Sequence, residues 1–304
     1  MPSSAPAPAE RVTFALADGQ TLTATVRRSA RSRRPRLSLS PRGALVLVVP
    51  AGWPASRARS VAPAFLPWLE RAWPRFAAGR PAPALPERIA LPLAGRVLEV
   101  TRGGDYAAGR RESPQAATVV RLAADGRRLL LLEVGEGVRL FGATDDVALC
   151  AQALVRWCRG VAGRLLPPHV EALARAHGFA PPVVTVRDQR SRWGSCSRPG
   201  GSGAGRGAGG AHIQLNWRAL LLARPLLDHL CLHELCHLRH MDHSPAYRAE
   251  LARLSPDWAS REKGLSRAWR ELAWWALPGE PGEPGEPGER GEAPLPLQPG
   301  AQPL

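Results

Sequence analysis

The sequence predicts an α+β protein: a β-hairpin-rich N-terminal region, then a compact core in which a small sheet packs on helices. Three observations carry that prediction. The first third alternates apolar and polar residues around short turn signals, which is the period of a half-buried strand. From about residue 145 the apolar residues recur at helical spacing. Short strand-like runs then return as "PVVTVRD", "SRWGSCS" and "HIQLNW" before helix resumes. With 304 residues and 44% hydrophobic content, the chain can bury a sizeable core. The expected segments are a β-rich region over 1–143, the core over 144–277 and a tail over 278–304.

The elements follow in order. "RVTFAL" and "QTLTATV" flank Asp18-Gly19, a two-residue hairpin signal. "RLSLS" and "ALVLVVP" repeat the pattern around Pro41 to Gly43, and an arginine cluster from Arg27 to Arg36 joins the two hairpins. Residues 55–78 carry Val61, Phe65, Trp68, Leu69 and Phe76 at near-helical spacing, broken or kinked by Pro63, Pro67 and Pro74. Further hairpins are expected at 88–101 and 117–133, the second turning at Asp125-Gly126. A long helix begins near Asp145, with Leu149, Ala153, Val155, Trp157, Val161 and Leu165 as its apolar positions. Pro167-Pro168 separates it from a second helix, "HVEALARAHG", which closes on Gly178.

Past the strand runs, helix returns at Pro225, with Asp228 expected in the first turn against the positive end of the helix dipole. Ser244-Pro245 and Ser255-Pro256 each read as an N-cap followed by proline at the first helical position. The last helix shows Trp258, Leu265, Trp269 and Leu272 along one stripe. Two segments lack the apolar residues to pack: the Gly-rich stretch 198–211 and the tail "PGEPGEPGEPGERGE". The tail has a collagen-like period but too few triplets for a triple helix, and is expected to be disordered and acidic.

The formal charge is +15, and every basic residue except Lys263 is arginine. A solvated basic surface is the plain reading of that excess; contact with nucleic acid, nucleotide or acidic substrates is the sharper one. The five cysteines, Cys150, Cys158, Cys196, Cys231 and Cys236, are odd in number and form no CxxC pair. They read as reduced thiols, and a cytoplasmic location is expected. "MPSSAPAPAERV" lacks the basic and apolar regions of a secretory signal, and no run of about 18 apolar residues predicts a membrane span.

The chemistry concentrates in "HELCHLRHMDH", residues 233–243, which holds four of the eight histidines. His233 and His237 stand at i and i+4, so on a helix both imidazoles leave one face a turn apart, where they can grip zinc. Glu234 is placed to take a proton from water at the metal; HExxH with Glu as base is the zinc-peptidase signature. The bland alternative is a core helix with two satisfied histidines, but an uncompensated glutamate beside them would then be costly. A hydrolase site needs a third protein ligand. His240, two turns past His233, stands about 10.5 Å along the axis and is out of reach while the helix continues. His243 can return to the metal if the chain turns near Met241-Asp242, where Asp tolerates a left-handed backbone and Ser244 starts a new helix. The spacing is that of HExxHxxGxxH, but His240 occupies the glycine position and no downstream methionine exists for a Met-turn.

"VRDQRSRWGSCS", "IQLNWRALLLARPLLDHLCLHELCHLRHMDHSPAYRAEL" and "PDW" together resemble the YgjP-like metallopeptidases, kin to SprT-like and WLM zinc peptidases. The resemblance runs from about Leu166 to Leu272, with "RRSARSRRPRLSLSPRGALVLVVP" similar to the family's N-terminal hairpin. It implies a compact zincin-like core, zinc on His233, His237 and His243, and Glu234 as the catalytic base. The Gly-rich insertion and Tyr247-Arg248, where the family has Phe followed by Trp, depart from the pattern without touching the ligands. Trp193 is expected to pack in the core, and Gly194 to permit close approach. Tyr247 is a candidate for stabilising the transition-state oxyanion.

The expected function is zinc-dependent hydrolysis of a peptide or protein substrate. Three rivals stay open: a nucleotide (phosphoanhydride) hydrolase suited to the arginine excess, a DNA-associated SprT-like protease, and a non-catalytic zinc-stabilised module.

Overall fold

The computed structural model describes residues 10–40, 42–79, 82–124, 126–197 and 211–278. The Gly-rich stretch, apart from Ala211, and the tail beyond Pro278 lie outside them. The described residues divide into two compact units, one of residues 10–82 with Leu277 and Pro278, the other spanning Pro83–Ala276. The segment boundary expected near residue 143 falls inside the second unit.

In the first unit, β1 (Arg11–Ala15) and β2 (Thr21–Ser29) form an antiparallel hairpin, as do β3 (Arg36–Leu39) and β4 (Leu45–Pro50). β2 runs parallel to β4, giving the order β1-β2-β4-β3. The proline-interrupted segment becomes α1 (Ala55–Val61), a 3-10 turn and α2 (Leu66–Gly79), which keeps Pro74 inside it. The core is made of inward positions such as Phe14, Ala24, Leu47 and Val49, together with Ala58, Ala62 and Leu69 of the helical stretch.

The second unit opens with β5 (Arg88–Leu91), β6 (Arg96–Arg102), α3 (Tyr106–Glu112), β7 (Thr118–Ala124), β8 (Arg127–Val134) and β9 (Gly137–Gly142). The two expected hairpins are present; β9, which the sequence did not reveal, joins them by pairing parallel with β6 and antiparallel with β8. α3 packs on one face of this sheet, where Gly109 lets the ring of Phe141 and the side chain of Leu130 approach. On the other face Trp157 Nε1 donates to buried Glu133 at 2.9 Å. Trp157 belongs to α4 (Val147–Ala176), capped by Asp146, whose side chain accepts from Leu149 N.

α4 is one 30-residue helix, so the break expected at Pro167-Pro168 is absent. Each proline costs about 3 kcal/mol in a helix interior. Burial of Leu166, His169 and Val170 around them offsets that cost, and His169 Nε2 lies 2.7 Å from Asp228 Oδ1. The helix closes at His177, followed by Gly178 at φ 67, the expected left-handed stop.

β10 (Val183–Arg187), β11 (Gly194–Ser197) and β12 (His212–Asn216) form a three-stranded sheet in the order β10-β12-β11. α5 (Arg224–Cys236), α6 (Pro245–Leu254) and α7 (Trp258–Arg270) complete the unit. Ser244 caps α6 through Tyr247 N as expected. Two local expectations fail. Asp228 sits past the first turn of α5, where it accepts from Arg224 Nε at 2.8 Å and meets His169 instead of serving the dipole. Ser255 ends α6 rather than starting α7, and its hydroxyl is drawn to His229. Among the described residues, no helix is long and apolar enough to cross a membrane.

Candidate metal centre

His233 and Glu234 occupy the last turn of α5, and His237 is its C-cap residue with φ -65 and ψ -15. The helix therefore ends at Cys236, some five residues before the turn expected at Met241-Asp242. His237 still stacks above the helix end because its backbone remains right-handed helical. The chain then bends back, and His243 arrives beside the pair. One ring nitrogen from each of His233, His237 and His243 lies within 4.8 Å of the other two. Nitrogens sharing one ion at about 2.0–2.1 Å stand about 3.3 Å apart, so little closure is needed.

His240 is directed elsewhere: its Nε2 is 3.0 Å from Glu250 Oε2. Its backbone carbonyl accepts from His237 Nδ1 at 3.0 Å. Since a carbonyl can only accept, the proton of neutral His237 is on Nδ1 and its Nε2 lone pair is free. His233 Nδ1 is likewise engaged, 2.9 Å from Glu262 Oε1, leaving its Nε2. Burial and neighbouring ring charge keep His237 and His243 below the ordinary histidine pKa, in the neutral form that binds metal. For His233 burial acts the same way and is the largest single effect, but the bond to Glu262 and the charges of Glu234 and Glu262 together outweigh it and raise the value. This donor set fits a divalent metal ion.

Glu234 is only 4% exposed. Burial pushes its carboxyl up to about 7, against the opposing charges of His233 and Arg192. Directly above it passes β11: a Cβ on Gly194 would fall 2.5 Å from Glu234 Oε1 and 3.0 Å from its Cδ. Only glycine leaves that carboxylate its place.

Several residues hold the strand there. Asn216 Nδ2 donates to the carbonyls of Gln189 at 2.7 Å and Arg192 at 2.9 Å, and its own N–H donates to Trp193 O at 2.7 Å. Asp188 accepts from Trp217 Nε1 at 3.1 Å and Arg218 Nη1 at 2.5 Å. The "LNWR" run thus tethers the loop that leads into Gly194. Trp193 is buried, donates from Nε1 to Leu265 O at 3.0 Å and meets Trp269 edge-on.

Tyr247 is buried under the cluster, its ring stacked on His237 with centroids 4.7 Å apart. Its hydroxyl faces the carbonyl of His233 at 3.4 Å, a long contact inside the protein. Tyr247 is therefore a wall of the site.

His229 and Glu262 escaped the sequence reading. His229, His233 and His237 share one face at i, i+4 and i+8, and that recurrence was the available signal. Glu262, 29 residues beyond His233, reads as a solvated charge in "SREKG".

Three gathered imidazoles, two at the end of α5 and one from the chain that bends back to it, form with the buried carboxylate of Glu234 and the edge strand β11 a cluster that could hold a metal ion. The sequence model of the YgjP-like metallopeptidase domain matches residues 33–268, and the chain belongs to that family. No curated protein and no solved structure matches the chain.

Proposed function

We propose that the chain is a zinc-dependent peptidase in which His233, His237 and His243 hold the ion and Glu234 is the general base. The observation that supports this most directly is the carboxylate of Glu234. It is buried within reach of the charge of His233, one of the three gathered imidazoles, with no side chain at position 194 to displace it. Zinc held by these ligands supplies a Lewis acid that polarises a carbonyl and acidifies water. Glu234 takes the proton of the attacking water and passes it to the leaving amine nitrogen. Burial disfavours the charged carboxylate in the metal-free chain, which suits a group that must hold a proton between the two halves of that transfer. His237 and His243, kept neutral by burial, stay available as ligands near neutral pH.

The substrate class we propose is a peptide or protein, and the compartment the cytoplasm. A nucleotide substrate rests on the +15 charge, and activation by DNA on that charge together with the resemblance to SprT-like proteases.

Glu234→Gln removes the base and keeps every ligand. Zinc content should stay near one per chain, while cleavage of fluorescently labelled casein should disappear. A variant that loses its zinc, or cleaves as the wild type does, would overturn the assignment.

A further inference from the structure

Beyond the three ligands and the base, the site contains an ordered chain of hydrogen bonds that ends on a ligand. Glu262 on α7 places Oε1 2.9 Å from His233 Nδ1 and 3.3 Å from His229 Nε2. The other nitrogen of His229, Nδ1, lies 3.0 Å from Ser255 Oγ. His229 is 1% exposed and Ser255 5%, so the far end of the chain is sealed from water.

The polarity of each bond follows from the groups present. One carboxylate oxygen meets two ring nitrogens, and as an acceptor it requires both to donate. His229 therefore carries a proton on Nε2, and in a neutral ring its Nδ1 accepts from the Ser255 hydroxyl. His233 carries its proton on Nδ1, which leaves Nε2 as the lone pair for the ion. Ser255, His229 and Glu262 thus fix both the tautomer and the ring orientation of His233, whereas His237 is oriented by a backbone carbonyl.

We propose that Glu262 is a positioning residue for the metal. Locked by His229 and Ser255, it holds His233 in the only tautomer that can ligate through Nε2. This rests on the zinc reading above. A carboxylate behind a metal-binding imidazole also raises its basicity, and removing such a partner typically costs about 10–100-fold in metal affinity or activity.

The test uses zinc alone as the probe. Zinc affinity of the full chain is measured by competition with a chromogenic chelator. Ring-nitrogen NMR of the metal-free protein reports which nitrogen of His233 carries the proton. Glu262→Gln keeps one acceptor oxygen but loses the charge and puts a donor in place of the second oxygen; it is expected to weaken zinc by about 10–100-fold and to let part of the His233 population carry its proton on Nε2 instead of Nδ1. A bond that merely ties α7 to α5 would lower the melting temperature of the metal-free chain and leave affinity and tautomer unchanged; that outcome overturns the proposal. Should Glu262→Gln fail to fold, Ser255→Ala carries the test, because it leaves the carboxylate in place and frees His229 to turn over. It should show a smaller loss of zinc affinity, and wild-type affinity would overturn the proposal. His243→Ala separates this failure from failure of the zinc reading. Zinc that is lost in His243→Ala and unaffected in Glu262→Gln refutes only the positioning role. A wild-type chain that binds no zinc, or binds it equally well without His243, refutes both.

Discussion

An alanine at position 194 would bring its Cβ to 2.5 Å from Glu234 Oε1, whereas ordinary contact begins near 3.4 Å. The difference, about 0.9 Å, must be met by the carboxylate, because β11 is held by its pairing with β12 and by the bonds of Trp193 just before Gly194. Gly194 has no left-handed backbone to protect, so alanine is allowed there in every other respect. The carboxylate is the end of a flexible side chain, and its retreat should leave stability almost untouched; a Gly→Ala change at a compatible position can even add about 0.4–1 kcal/mol through the unfolded state. Turnover should respond differently, since a misplacement of about 1 Å can cost about 100-fold, equivalent to about 2.7 kcal/mol of barrier. The assay pairs cleavage of labelled casein with zinc content and melting temperature, for Gly194→Ala in the wild-type and Glu234→Ala backgrounds. We expect cleavage down about 100-fold, zinc retained, and no further loss when Glu234 is already absent. Activity within a few-fold of wild type would refute the close-packing argument. An equal loss in the Glu234→Ala background would show that Gly194 acts by another route.

Three further outcomes follow from the structure. His243→Ala should purify with little zinc, while His240→Ala should stay near stoichiometric, because the His240 ring serves Glu250 and its contribution to His237 is made by backbone; metal analysis of the two side by side decides it. In the second unit, burial opposes ionisation of Glu133, but bonds from Trp157, Thr118 and Arg96 outweigh it and lower its pKa. A folded pKa below the unfolded one gives stabilisation that is present above the ordinary glutamate range and lost as pH falls through it. Acid melting curves should therefore steepen below about pH 5, and Glu133→Gln should flatten that dependence while costing about 2 kcal/mol at neutral pH. Finally, replacing Arg31, Arg33 and Arg34 by serine should leave turnover of a short neutral peptide intact. A sharp loss on nucleotide or DNA-stimulated assays with reduced salt dependence would favour the polyanion readings.

How much of this was legible depended on whether the determining contact was local. Helical spacing alone places His233 and His237 on one face, and the capping signal at Ser244 restarts the chain where His243 can return. The hairpins were equally readable, because turn and alternation lie within a dozen residues. What escaped was set at a distance. Pro167-Pro168 is a strong local break signal, yet burial along α4 overrides it. β9 and its parallel partner β6 are 38 residues apart in register, Glu99 against Gly137 opening the pairing, and no pattern in either strand names the other. Ser255 looks like a cap because Pro256 follows it, but a buried histidine 26 residues upstream claims the hydroxyl. Glu262 carries no spacing relation to the histidine motif, so its role emerges only once α7 lies across α5.

That crossing helix has a mechanical consequence. Through Trp193 Nε1 to Leu265 O, α7 anchors the strand above the cleft; through Glu262 it anchors His233 below; and Arg261 Nη1 reaches Pro225 O at the start of α5 at 2.7 Å. Both jaws are thus gauged from one spindle, as in a caliper. The narrow gap between Gly194 and Glu234 is thus braced from the same helix on both of its sides.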